Sequence, residues 1–369
     1  TQQHTFGAGV GLTSLIAKRM EVRMSGDPYE RQLALERSLF LDLDDVNLDD
    51  YAEVRHELKS PAQFTTALMD HFEKDPNQQG CRLPWPSADP LRFRPGEVSL
   101  WSGQNFHGKS ALLTQSMIWW MREGFSDKKE KFLVISPEFD PMRNIARWVQ
   151  QITAKLPGQI EGADVISSVA WLEGKVLIYD VVGSIEINDI CNLIRYAVAE
   201  HGITSVLIDN LTVLQLPNSS DTNVAQSELM TRLVEVTRST GCHLHTVCHT
   251  RKPAKGEPVS RYNIRGASQL VDLADNVLCV ERNESKEKKL ADPSLDDEER
   301  REVAGRADTR LWCLKQRHGT AWVGTVRLYF DVFSMRWSEQ QNAAFLCLEE
   351  IEDLNNILDT PNSRGYQAW

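Results

Sequence analysis

Between the apolar run VSLW (98–101) and the helix-like ALLTQSMIWWM stand Gly103, Gln104, Asn105, Phe106, His107, Gly108, Lys109 and Ser110, a full match to the pattern G-x-x-x-x-G-K-[ST]. Glycines at both ends let successive backbone N–H groups turn inward as an anion nest, and a helix starting at Lys109 adds its positive N-terminal end. Binding of a nucleoside triphosphate is the chemistry that fits. Gly103 through Ala111 would form the cradle, Lys109 would reach the β- and γ-phosphates, and Ser110 would ligate magnesium. ATP, or another NTP or dNTP, with Mg2+ is therefore the expected ligand pair, and His107 is a permissive loop position rather than a catalytic one.

Two carboxylates would complete such a site. Asp209 ends the run TSVLID, where it would hold magnesium through water; Glu138 follows KFLVIS, where it would activate the attacking water. Asp140 competes with Glu138 for that second role, and the turn expected at Pro137 does not choose between them. Both runs would bring their acids to strand carboxyl ends, the edge where open α/β sheets bind ligands.

The elements that must position these groups are legible as an alternation. Short apolar runs, VSLW, KFLVIS, KVLIYD, TSVLID and HLHTV, are separated by helix-length segments with apolar spacings of three and four, KSALLTQSMIWWMRE, INDICNLIRYAVAE and NVAQSELMTRLVEVTRST. That pattern predicts crossover units and a mainly parallel sheet flanked by helices on both faces. NVLCVE, TRLWCLK and TVRLYFD read as a terminal extension of the sheet, and the charge-mixed SKEKKLADPSLDDEERREVAGR between the first two reads as a solvated loop or short exposed helix.

Upstream, SPAQ predicts a helix start at Ser60, with proline in the first turn and Gln63 closing a capping box. Phe64, Leu68 and Phe72 would then share one narrow face. The organisation expected is an accessory segment over 1–52, a linker helix region over 53–82, the nucleotide domain over 83–340 with its boundary between Gln79 and Pro95, and a tail over 341–369.

Composition narrows the partners. With 41 % hydrophobic and 25 % charged residues, the 369-residue chain is of ordinary globular type, and its apolar runs fall short of the roughly 20 residues that a bilayer span needs. Neither a membrane nor export is expected. The cysteines form no CxxC pair, which fits a reducing, cytoplasmic setting and gives no zinc spacing. A net charge of −11 argues against a surface coated by nucleic acid but leaves room for a basic lining inside a channel.

Taken together, RPGEVSLWSGQNFHGKS, VISPEF, VLIDNLTVLQ, HTVCHTRKP, NIRGASQLVDLADNVLCVER and CLKQRHGTAWVGTVRLYFD resemble, in this order, the RecA-fold domain of hexameric replicative helicases, the group of DnaB, Twinkle and the phage primase-helicases. The resemblance covers about residues 83 to 337, and 53 to 82 are similar to the linker of that group. Residues 1 to 52 resemble neither a complete primase nor a zinc module. The resemblance implies a RecA-like P-loop NTPase fold, Glu138 as catalytic base, and His249 as sensor of the γ-phosphate. It implies that Lys315 and Arg317 reach the nucleotide of a neighbouring subunit, and that Arg265 lies near the nucleotide and the subunit interface. Phe330 falls where relatives place an aromatic against the base, with Tyr329 beside it not separable by sequence. Arg251, Lys252, Lys255 and Arg261 would contact single-stranded DNA from a Pro- and Gly-containing loop.

The function expected is an NTP-driven DNA helicase: a homohexameric or heptameric ring around single-stranded DNA, moving 5′ to 3′, with primase, polymerase or other replication proteins as further partners. The cell would be a bacterium or a phage-infected host, or the site an organelle. Two alternatives predict different behaviour. A RecA- or RadA-type recombinase would form filaments of fixed pitch, and a nucleotide-regulated ring would bind DNA without unwinding it.

Overall fold

The computed structural model describes residues 60–73, 79–124, 129–137, 140–181, 183–215, 222–250, 264, 268–343 and 345. The chain divides into two compact units, Thr1–Asp70 and His71–Trp369. The segment from Ser60 begins with a tight turn at Pro61–Phe64 and continues as α1 (Thr65–Glu73). Gln63 Oε1 accepts from the Ser60 N–H at 3.0 Å, the returning half of the expected box, while the Gln63 N–H goes to the Ser60 carbonyl rather than to its hydroxyl. Phe64, Leu68 and Phe72 are exposed.

The second unit is built on a nine-stranded sheet. Its strands are β1 (Val98–Ser102), β2 (Phe132–Ile135), β3 (Val176–Tyr179), β5 (Ser205–Ile208), β7 (His243–Val247), β8 (Asn276–Arg282), β9 (Thr309–Gln316), β10 (Gly324–Asp331) and β11 (Arg336–Ser338); β4 (Ile185–Glu186) and β6 (Leu214–Gln215) pair apart. The order across the sheet is β11-β10-β9-β8-β1-β7-β5-β2-β3. From β8 to β3 all pairings are parallel, whereas β9, β10 and β11 add on antiparallel. The expected mainly parallel sheet is thus observed, and so is its terminal extension.

Alternation along each strand makes two cores. Trp101, Phe132, Val134 and Leu207 point into one, Leu100, Leu133, Ile135, Val206 and Ile208 into the other. Helix α2 (Lys109–Glu123) lies on the first face and is buried nearly all round, as its apolar sequence requires. The same face takes α3 (Pro141–Thr153), through Trp148 and Ile152, and Leu172 at the end of α4 (Gly162–Leu172). On the second face lie α5 (Ile187–His201), α6 (Thr222–Thr240) and α7 (Ser268–Leu273). Residues 81 to 93, read as a Pro-rich approach, are packed into the first core through Cys81, Leu83, Trp85, Leu91 and Phe93. The charge-mixed insert folds as two short helices, α8 (Glu284–Leu290) and α9 (Asp297–Ala304). Among the described residues no helix is long and apolar enough to cross a membrane, and the cysteines are free thiols.

Two histidines are sealed between the sheet and α2. His243 donates from Nδ1 to the Arg94 carbonyl at 2.6 Å and accepts at Nε2 from the Ser99 hydroxyl at 2.8 Å. His245 accepts from Trp101 Nε1 and stacks on Trp120 at 4.6 Å. His243 is thereby satisfied at both nitrogens as a neutral ring, and His245 accepts as one at Nδ1. Burial pushes His243 down to about 4 and His245 well below its ordinary value. Below pH 6.5 the unfolded chain takes up protons that these rings refuse in the fold, so stability is lost as pH falls from 6.5 towards 4. For His243 alone this amounts to roughly 3 kcal/mol. Glu97, whose carboxyl burial raises, opposes the trend as it takes up its own proton. Denaturant unfolding at pH 7 and pH 4.5 should show the loss, and His243→Gln should make the slope shallower.

Candidate nucleotide site

The phosphate loop leaves β1 and enters α2, the strand–loop–helix setting that its pattern requires. Gly103 (φ +151°) and Gly108 (φ +84°) both have backbone angles that disfavour a side chain, and space forbids one as well. A Cβ at 103 would stand 2.5 Å from the Val280 carbonyl oxygen, and one at 108 would stand 2.9 Å from the Trp337 ring. The loop is therefore wedged between β8 and Trp337. Trp337 is itself fixed: its N–H donates to Gln115 Oε1 at 2.8 Å, while Gln115 Nε2 and Trp85 Nε1 donate to its carbonyl. Phe106 forms the tip, at φ 65° and 91 % exposed.

Lys109 is buried, and its ammonium donates to the Gly103 and Gln104 carbonyls at 3.0 and 2.8 Å, so its charge sits inside the loop's own curl. Ser110 follows as the second residue of α2. His107, read as a permissive position, is instead buried and bonded: Nδ1 accepts from the Arg282 N–H at 3.2 Å and Nε2 lies 3.5 Å from Glu284 of α8. Arg282 also approaches the Phe106 carbonyl, at 3.5 Å. Sequence reasoning misses this brace, because α8 lies far from the loop in the chain.

The partners expected from neighbouring strands lie at the same edge. Asp209 follows β5, is 7 % exposed, and is bonded through its N–H to the Ile135 carbonyl. Thr250, next to His249, donates its N–H to the Gly103 carbonyl, which brings the end of β7 against the start of the loop. Asn210 spends its Oδ1 on the Thr212 N–H, so its amide donates to His249 Nε2 at 3.3 Å and the ring proton sits on Nδ1. Arg147 of α3 is a further neighbour that no motif announces. Burial lowers its pKa, and the Asp209 carboxylate nearby acts against that.

Asp140, the rival of Glu138 as base, stands at the start of α3. Its Oδ1 accepts from the Met142 N–H at 3.0 Å as N-cap of α3, which commits the carboxylate to the helix. Glu138 lies outside the described residues, as do Arg251, Lys252, Lys255, Arg261 and Arg265. Tyr329 and Phe330 point opposite ways from β10. Tyr329 donates to the Gly305 carbonyl in the insert, whereas Phe330 packs on Trp337 at 4.6 Å, next to Gly108.

A nucleotide fits this cradle: glycine-only backbone, a buried ammonium and an aromatic at the margin. Magnesium fits as well, since Ser110 and Asp209 supply hard oxygen donors and phosphate oxygens and water would complete the shell. Among the described residues no cluster of His, Cys, Asp or Glu would hold a metal unaided.

Lys315 and Arg317 lie elsewhere. Gln316 pairs with Asn276 at the amino end of β8, beside the amino end of β1, so both cations sit at the edge of the sheet opposite the phosphate loop. Five strand residues separate that edge from Gly103, about 16 Å at roughly 3.3 Å per residue. Lys315 donates to the carbonyls of Val271, Asp272 and Ala274, capping the end of α7 at 2.8 to 2.9 Å. Arg317 pairs with buried Asp275 at 2.9 Å. Neither reaches the loop of its own chain.

The family described as "AAA domain" matches residues 60–255. A DNA helicase/primase of Enterobacteria phage T3 is 25 % identical over 207 residues, which cover 53 % of this chain and 37 % of that protein, so the chain spans little more than a third of the length of that relative. Among solved structures, a DnaB-like replicative helicase studied for its interactions with primase superposes with a TM-score of 0.63 at 17 % identity, over 89 % of this chain and 75 % of the other. A second solved structure, described as an ATPase domain, superposes with a TM-score of 0.60 at 17 % identity, over 81 % of this chain and 100 % of the other. The fold is thus shared with a DnaB-like replicative helicase, and by its sequence this chain belongs to the AAA-domain family.

Proposed function

We propose that the chain is an NTP-driven replicative DNA helicase that works as a closed ring, a hexamer or heptamer, around single-stranded DNA. The observation that carries this reading is the split of the chemistry between two edges of one sheet. Phosphate loop, Asp209 and His249 stand at one edge, while Arg317 stands about 16 Å away at the other. An arginine so placed acts on a nucleotide only in a second copy, and hydrolysis then depends on assembly. In this reading Glu138 activates water, His249 reports the γ-phosphate, Ser110 and Asp209 hold magnesium, and Phe330 flanks the base. Lys315, spent on the end of α7, positions the strand that carries Arg317.

The phage relative, described as a helicase/primase, supports DNA as the track. Movement 5′ to 3′ and contact with primase belong to the same proposal. Arg251, Lys252, Lys255 and Arg261 follow β7 in the sequence, beginning two residues after His249, so nucleotide state at His249 and DNA contact share one stretch of chain. Neutralising Lys252 and Lys255 together should weaken binding of single-stranded oligonucleotide uniformly across sequences. The slope of log K against log salt should fall by between one and two. A titration by fluorescence anisotropy at several salt concentrations measures both; unchanged affinity would move the DNA path elsewhere on the chain.

A further inference from the structure

Arg317 does not project loosely from its edge of the sheet. Its N–H donates to the Asp275 carbonyl at 2.8 Å, its Nη1 to Asp275 Oδ1 at 2.9 Å, and its Nη2 to the Asp272 carbonyl. Asp275 is in turn immobile. It is 2 % exposed, its N–H donates to the Val98 carbonyl at 2.8 Å, and its Oδ2 accepts from the Val98 N–H at 2.9 Å. His318 Nε2 stands 3.6 Å from the same Oδ1 that takes the arginine. A buried carboxylate needs such partners, but Val98 and one cation would already serve it, and the chain spends a planar guanidinium there.

The guanidinium is gripped from the inner side only: 33 % of the side chain is exposed, and of its five N–H donors the contacts to Asp275 and Asp272 take one each. Free in solution, an arginine side chain must be ordered before it can meet an anion, at a cost that falls on the step it serves; a guanidinium already held in plane has lost that freedom in advance. We infer that Asp275 is a positioning residue for Arg317, holding it in the orientation in which it meets the nucleotide of the adjacent copy. This rests on the reading of Arg317 as a cation supplied in trans. Asp275 itself touches no nucleotide.

Subunit mixing with the full chain tests it. Asp275→Asn keeps size and an acceptor for the Val98 N–H but turns its amide towards the guanidinium. Its turnover should fall 10- to 100-fold, with binding of a fluorescent nucleotide analogue unchanged. Mixed with Lys109→Ala, which binds nucleotide weakly and does not hydrolyse it but carries an intact Asp275 and Arg317, it should regain activity, the mixture turning over several-fold faster than either variant alone. Wild-type turnover by Asp275→Asn would reduce Asp275 to a packing role, and faster turnover would make it a restraint; either overturns the inference. So would a loss that Lys109→Ala does not rescue while it does rescue Arg317→Ala. Failure of Lys109→Ala to rescue Arg317→Ala would instead remove the trans reading, and the inference with it. Should Asp275→Asn not fold, as its melting curve would report, Arg317→Lys answers in its place. It keeps the charge and loses the fork, so a comparable fall is expected, and turnover within twofold of wild type would overturn the inference.

Discussion

Lys109→Ala should reduce nucleotide affinity by a factor of 10² to 10³ and abolish measurable hydrolysis while leaving the fold intact. The ammonium is buried and donates to the loop carbonyls of Gly103 and Gln104, which the phosphates would replace with full negative charge. Removing one partner of a buried, hydrogen-bonded charge pair costs on the order of 2–5 kcal/mol, and a tenfold change corresponds to about 1.4 kcal/mol. Stability should change little, since the lysine stem packs beside Gly103 of the loop. Equilibrium binding of a fluorescent nucleotide, run beside a thermal melt, separates the two effects.

Arg317→Ala should have the opposite signature. A cation delivered to the transferring phosphoryl group acts mainly in the transition state, so binding persists while turnover falls by about 10³ or more. The position of Arg317 makes the expectation specific to assembly: about 16 Å from its own loop, it cannot assist its own nucleotide. Some stability will be lost as well, because Asp275 is left buried without its arginine. A melt and a nucleotide titration on the same preparation distinguish this cost from the catalytic one, and unchanged turnover would withdraw Arg317 from the chemistry.

What is legible in the sequence follows from locality. The phosphate loop is a contiguous pattern whose glycines and lysine act within a few residues of one another, and the runs ending at Asp209 and before His249 announce their strands by apolar composition. Helix starts are readable for the same reason, as with Gln63 returning to Ser60. Helices α3 and α4 escape the apolar spacing, although Asp140 with Pro141 is a cap followed by a first-turn proline; beside Glu138 the acid reads first as a base. The separation of Tyr329 from Phe330 needs the strand's pleat and the position of Trp337.

The grip on Arg317 is beyond sequence reasoning altogether. It depends on the register of β8 against β9, which shifts between Val277 and Leu278, and on the meeting of Val98 with Asp275 across the sheet. In one dimension, Lys315 and Arg317 differ only by a glutamine between them. In the fold one caps a helix while the other stays partly exposed beside a carboxylate.

Hydrolysis of NTP by wild type titrated with Arg317→Ala, at constant total protein and with or without single-stranded DNA, tests the central claim most directly. Sites shared between copies on a DNA track predict stimulation by the DNA and a loss of activity steeper than the mutant fraction. Turnover indifferent to DNA and falling in proportion to the fraction of wild type would contradict it, leaving a nucleotide site complete within each chain.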